Sequence, residues 1–374
     1  MNEFSILDMV EEDTVLYRIE NALRACGLPL SLRHHSYQMI RTGAWHDVYR
    51  VTVPQHAHPF IVRIRKSAAY GQSQSYDRHA DDWRAEYTAT SLYYMQANRA
   101  QPQICPTMFL HHVSKEITCT VETYMGESLQ LDSLTPESAR RFGRQIGTMM
   151  RTMHQTKTHI TGAGELAWDG ANLYGITPQQ ETSLSHRIEQ AYNGNILLAL
   201  TEQAPRFDHE VVRQKLQHAQ QIREVDLPMV LINRDVTPEN LTVQRDNRVG
   251  IIDPYPYLGD GTRFAAWFIH CYRFLLPNYA QTARYHTNGY DTHAQKLAFI
   301  ADGFEKGYLQ GDEKLRQRIS AERWLWALEQ AYDDMERLDD ATHLTERIIH
   351  KHGAPNIIRK RLKKTLRLLE KLDF

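Results

Sequence analysis

The first third of the chain carries the period of strands, and the rest carries the period of helices. Tyr37–Ile40 and Val48–Val53 flank the short segment Thr42-Gly43-Ala44-Trp45, and Phe60–Ile64 alternates as a half-buried strand does. Asp81 to Met95 reads as a helix, and Glu116–Tyr124 as one or two further strands ending at Met125-Gly126. After Gly126 the spacing changes. Thr135-Pro136 is a helix start, because threonine caps free amides and proline fits the first turn. Ala139, Phe142, Ile146, Met149 and Met153 then recur at helical spacing, up to His154. Segments around 182–200, 208–224, 263–275, 293–308, 314–339 and 356–372 have the same character. The pattern predicts an α+β protein with a small strand-rich N-terminal lobe, residues 1–122, and a large helical C-terminal lobe, residues 123–374.

The segment from Met229 to Asp260 carries the candidate chemistry. An apolar run, Met229–Ile232, leads into the polar loop Asn233-Arg234-Asp235-Val236-Thr237-Pro238-Glu239-Asn240. Leu241–Gln244 and Arg248–Ile252 flank turn residues and predict an antiparallel hairpin. That hairpin would bring Asn240 and Asp253 to one open end. An amide oxygen and a carboxylate suit a hard divalent ion such as magnesium, whose other ligands are phosphate oxygens and water. Asp235 lies one loop away, placed to accept a proton from an attacking hydroxyl.

Asp235, four residues, Asn240, twelve residues, Asp253: this run resembles the catalytic core of the protein-kinase-like superfamily. Asp253-Pro254-Tyr255 followed by Leu258-Gly259-Asp260 is similar to its aminoglycoside and choline phosphotransferase branch. Asn233-Arg234 stands where that branch has His-Gly, and Phe264 where it has another aspartate. The resemblance implies a bilobal protein-kinase-like fold and ATP- and magnesium-dependent phosphoryl transfer to a hydroxyl of a small molecule. It implies Asp235 as catalytic base, Asn240 and Asp253 as metal ligands, and Asp260 on the substrate side.

The same resemblance assigns roles in the first lobe. Gly43 would be the turn over the phosphates, although a plain hairpin accounts for it equally. Arg63 would be the basic strand residue, with Arg65 on the same strand face as competitor, and Glu86 would be the helix carboxylate that holds it, or else an ordinary solvated charge. Val121 to Leu129 resembles the hinge, with backbone groups at Glu122 and Tyr124 pairing with adenine.

Composition narrows the class. The 374 residues have a formal net charge of −1, which gives no reason to expect nucleic acid as a partner. The cysteines Cys26, Cys105, Cys119 and Cys271 lack metal-ligand spacing and are expected reduced. An acidic N-terminus and the lack of an apolar run long enough for a membrane span point to a soluble, cytoplasmic protein. Neither a Gly-x-x-x-x-Gly-Lys-[Ser/Thr] loop nor a Gly-x-Ser-x-Gly elbow is present.

Two helices leave alternatives open. Ile357, Ile358, Leu362, Leu366 and Leu369 stand among Arg359, Lys360, Arg361, Lys363, Lys364 and Arg367. This basic amphipathic helix is expected to dock on the large lobe with its charges in water, against membrane or nucleic-acid contact. On the helix Ala321–Asp340, Trp326, Glu329, Asp333, Glu336 and Asp340 share a face. That face is either solvated or a site for a cationic acceptor, carboxylates and an indole both attracting an ammonium. The chain as a whole reads as a small-molecule kinase, against a kinase-fold structural or regulatory protein of the spore-coat type and a protein serine/threonine kinase.

Overall fold

The computed structural model describes residues 6–28, 32, 36–42, 45–54, 56–69, 72–73, 75–178, 182–207, 209–223, 228–340 and 344–374. The chain divides into two compact units, one made of Met1–Leu129, Ile160–Thr177 and Asn233–Tyr257, the other of Gln130–His159, Pro178–Ile232 and Leu258–Phe374.

The first unit opens with a helix that the strand-rich pattern did not suggest, α1 (Ile6–Ala25). It is followed by β1 (Tyr37–Thr42), β2 (His46–Val51), β3 (Phe60–Arg65) and a two-residue pair, β4 (Ala68–Ala69) with β5 (Gln72–Ser73). Then come α2 (Tyr76–Ala100), β6 (Phe109–Val113) and β7 (Thr118–Thr123). The main sheet has the order β1-β2-β3-β7-β6 and is antiparallel throughout. Period two separates its faces. Phe60, Val62, Ile64, Cys119 and Val121 pack with Ile19, Ala22 and Leu23 of α1. The intervening Arg63 and Glu122 point to the other face, where they meet.

The same unit holds β8 (Glu127–Ser128) and a hairpin of β9 (Ala163–Trp168) with β10 (Leu173–Thr177). After β11 (Val230–Asn233) the expected hairpin forms: β12 (Leu241–Val243) pairs with β13 (Val249–Ile251), with Leu241 opposite Ile251. The free edge of β12 pairs with β8. Two further ties fix the hairpin: Ile251 N–H donates to the Ile104 carbonyl at 2.8 Å, and Thr242 Oγ1 donates to the Met125 carbonyl at 3.0 Å. Gly126 has φ of 101°, and a Cβ there would collide with the Val243 carbonyl, so only glycine fits this approach. β14 (Pro256–Gly259) follows.

The second unit contains the helices α3 (Pro136–His154), α4 (Thr182–Gln203), α5 (Glu210–Ile222), α6 (Gly261–His270), α7 (Leu276–Tyr279), α8 (Ala294–Leu309), α9 (Glu313–Asp339), α10 (Glu346–His352) and α11 (Pro355–Lys371). The N-cap of α3 is as expected: Thr135 Oγ1 accepts from Ser138 N–H, and Ser138 returns the bond to Thr135 N–H. The single helix expected over 263–275 is instead α6 followed by a π-helical turn, Cys271–Leu275.

The basic C-terminal helix α11 docks on α9 and α5 of this unit. Leu369 is fully buried in a cluster with Trp324, Leu325 and Leu328, and Trp324 Nε1 donates to the Leu369 carbonyl at 3.0 Å. One of its charges departs from expectation. Arg361 is 1% exposed rather than solvated, and it donates to Asp334 at 2.7 and 2.9 Å. Among the described residues no helix is long and apolar enough to cross a membrane.

Candidate active site

The geometry of the Asp235 loop starts from Asn233. Its side chain is buried at the end of β11, and its Oδ1 accepts from the amides of both Asp235 (2.9 Å) and Tyr255 (2.8 Å). One asparagine thus holds the loop against the segment that follows Asp253. Residues Pro238–Asn240 form one 3-10 turn, which places the Asn240 side chain between the two aspartates. Asn240 Nδ2 donates to the carbonyls of Asp235 (3.0 Å) and Asp253 (3.4 Å). With its nitrogen so engaged, Oδ1 is the Asn240 atom suited to a cation.

Asp253 adopts a left-handed backbone, φ of 51°, uncommon for a residue with a side chain and a sign of local strain. A closed circuit of side chains holds it. Its N–H donates to the Tyr94 hydroxyl at 3.1 Å, and that hydroxyl donates to Glu122 Oε2 at 3.1 Å. Glu122 Oε1 accepts from Arg63 Nη2 at 2.9 Å, and Arg63 Nη1 lies 3.2 Å from Asp253 Oδ1. Burial alone would lower the Arg63 pKa, but the carboxylates of Asp253 and Glu122 outweigh it and hold it above the ordinary arginine value. Burial pushes the Tyr94 phenol well above its usual range, so it remains a donor.

This arrangement differs from the sequence expectation in one pairing. Arg63 is held by Glu122, whereas Glu86 on α2 pairs with Arg65 at 3.1 Å. Strand register gives the reason. Arg63 sits opposite Thr120, so Glu122, two residues on, presents its side chain on the same face. Arg65, nearer the end of β3, also donates to Tyr87 at 3.1 Å and lies over Trp83.

Beside the circuit is a cavity of about 240 Å³, lined among others by Ile61, Arg63, Glu122, Tyr124, Met125 and Ile252. All belong to the first unit. At its lip Arg50 lies over the Tyr124 ring, 4.3 Å from the centroid, and the Tyr124 hydroxyl donates to Glu127. The Tyr124 amide donates to the Pro59 carbonyl at 3.1 Å, so adenine would have to displace that bond or use other backbone atoms. Gly43 lies outside the described residues.

The substrate-side candidates fall in the second unit, where each has an internal partner. Asp260 caps α6, accepting from the amides of Thr262 (2.7 Å) and Arg263 (3.2 Å). The face of Trp326 and Glu329 does hold a cation beside an indole, but the cation is Arg263 of the same chain. Its guanidinium lies 4.7 Å from the Trp326 ring centroid and donates to Glu329 at 2.6 Å, while Trp326 Nε1 donates to the Arg263 carbonyl. Asp333 pairs with Arg337 one turn on.

Burial, and then the negative charge of Glu322, push the Asp260 carboxyl up to about 6 against its capping amides. The folded state therefore keeps a proton that the unfolded chain releases near its ordinary value, so this group's contribution to stability falls as pH rises from about 4 to about 6. Asparagine keeps the cap and does not titrate. Asp260→Asn is expected to gain stability relative to the parent across that window, with no further gain above it. Urea midpoints of both proteins at pH 4, 6 and 7.5 check this, and a constant difference would remove the assigned protonation.

The donor set fits magnesium in kind: Asn240 Oδ1 and the Asp253 carboxylate are hard oxygen atoms on neighbouring backbone. Among the described residues no group of three or more His, Cys, Asp or Glu side chains could hold a metal ion; magnesium ordinarily takes its other ligands from phosphate and water. Sequence reasoning missed Asn233 and Tyr94. The signal for the first was an amide side chain closing the apolar run Met229–Ile232, two residues before Asp235; the second left none.

The model of the phosphotransferase enzyme family matches residues 36–257, and the chain belongs to that family. No curated protein matches it. Among solved structures, an amicoumacin kinase in complex with AMP-PNP, calcium and amicoumacin is 11% identical, covers 97% of this chain and 96% of its own, and has a TM-score of 0.48. A choline/ethanolamine kinase family protein from Mesorhizobium loti is 13% identical over 96% and 98%, with a TM-score of 0.45. Spectinomycin phosphotransferase with ADP and spectinomycin is 11% identical over 94% and 98%, with a TM-score of 0.46.

Proposed function

We propose that this protein transfers the γ-phosphoryl group of ATP to a hydroxyl of a small molecule, with magnesium. The observation that carries the reading is the joining of Asp235, Asn240 and Asp253 in one hydrogen-bonded loop system, with Arg63 on Asp253. Asp235 accepts the proton of the attacking hydroxyl as its oxygen bonds to the γ-phosphorus. The bond to the β–γ bridging oxygen breaks, and ADP leaves. Magnesium, when bound, would neutralise charge on the phosphates. Asn240 and Asp253 would hold it, and Arg63, paired with Asp253, would supply the cation beside the phosphates. The cavity at Glu122 and Tyr124 takes the base. Residues 1–122 then serve the nucleotide together with Tyr124, Met125 and Ile252 of the base cavity, and the rest of residues 123–374 serve catalysis and the acceptor. Arg263 fills the face that would have selected a cationic acceptor.

The test is ATP turnover with and without magnesium against hydroxylated amines, sugars and antibiotics. Asp253→Ala is expected to weaken magnesium-dependent nucleotide binding by at least about tenfold, since it removes one of two protein ligands. Unchanged magnesium–ATP affinity in titration calorimetry would exclude the metal assignment. One observation favours a second reading, a kinase-fold protein that binds nucleotide poorly: the Tyr124 amide already has a partner in Pro59. Absence of measurable ATP binding would select that reading.

A further inference from the structure

The four cysteines are free in the structure, and two of them are neighbours. Cys26 and Cys119 are separated by 93 positions, and their sulfur atoms stand 3.8 Å apart. Cys26 lies in the turn that ends α1, and Cys119 lies on β7, the strand that carries Glu122 to the candidate site. We propose that Cys26 and Cys119 form an intramolecular disulfide on exposure to an oxidised thiol such as glutathione disulfide, which staples α1 to β7.

Three features favour closure. The sulfurs lie within 2 Å of bonding distance, about 2.05 Å in a disulfide. Cys26 is followed by Gly27, whose φ of 80° marks a chain turn, and a Cβ on Gly27 would meet nothing within 4 Å, so there is room for a small adjustment. The two cysteines also differ in access. Cys26 is half-buried, whereas Cys119 is fully buried in the α1–sheet core. That difference sets the order of events. The Cys26 thiolate attacks one sulfur of glutathione disulfide and releases one glutathione thiolate. The Cys119 thiolate then attacks Cys26 Sγ in the mixed disulfide and releases the second. The two cysteines lose two protons and two electrons in all, and the glutathione disulfide is reduced to two thiols. Cys105 and Cys271 are buried, out of reach of glutathione disulfide, and are expected to remain thiols.

The experiment uses the full chain, equilibrated with glutathione disulfide, then denatured, alkylated and digested. The expected result is a Cys26–Cys119 linked peptide with Cys105 and Cys271 alkylated. Because the bond closes a long loop, the melting temperature is expected to rise by about 3–6 °C and to return with dithiothreitol. Cys26→Ser, at the half-buried position, is expected to abolish both effects and to keep the reduced protein's melting temperature; Cys119→Ala repeats the test from the other side. Four alkylated thiols, Cys26 trapped as a lasting glutathione adduct, a link to another cysteine, or a linked protein with an unchanged melting temperature would each overturn the proposal.

Discussion

Asp235→Asn is expected to lower turnover by about 10²–10⁴-fold, the usual contribution of a general base, while nucleotide affinity stays within about twofold of the parent. The substitution removes proton acceptance and little else. The loop is positioned through the Asp235 amide, held by Asn233, and through its carbonyl, held by Asn240. Neither bond involves the carboxylate. An asparagine oxygen still accepts from Thr237 Oγ1, as Asp235 does at 3.4 Å. Steady-state kinetics with the best acceptor, paired with calorimetry on a non-hydrolysable ATP analogue, separates the two quantities. Turnover within about threefold of the parent would mean that another group takes the proton.

Asp334→Ala is expected to destabilise the protein by about 3–5 kcal/mol, because it strands a buried charge. Asp334 is 0% and Arg361 1% exposed, so water cannot replace the missing carboxylate. The Tyr279 ring, 4.0 Å from the guanidinium carbon, and the His352 carbonyl would be left as its partners. Arg359→Ala, on an exposed position of the same helix, is the control and should fall within about ±0.5 kcal/mol. Replacing both members by apolar residues, Asp334→Leu with Arg361→Met, should recover most of the loss. Urea midpoints of the four proteins decide the matter. A loss for Asp334→Ala as small as that of the control would show that the ion pair does not anchor α11.

Both results bear on what could be read from the chain alone. Asp235, Asn240 and Asp253 were legible because their arrangement is local: nineteen positions, one turn and one hairpin bring them together. Arg63 was legible as the strand cation, but not its partner, because Glu122 is 59 positions away and strand register alone brings them together. Helix geometry placed Trp326 and Glu329 on one face correctly. It could not supply Arg263, 66 positions away from Glu329, which turns an apparent ligand site into an internal ion pair. Arg361 failed in the same way: a basic residue in a basic helix reads as solvated until Asp334 appears beneath it. Among the elements, α1 was missed because its first residues were read for charge rather than for periodicity. The β9–β10 hairpin was missed because Gly162, Gly164, Gly170 and Gly175 break up its alternation.

Gly126 has a consequence for motion within the first unit. A glycine after a strand is usually read as a swivel. This one has no room to swivel, since the backbone of Val243 occupies the space where a side chain would be. Contact at that point welds residues 125–128 to the strand that begins one residue after Asn240. The floor of the cavity and the Asn240 side chain therefore travel as one rigid piece. Any opening of the cavity must come from its other wall, the β1–β2 side.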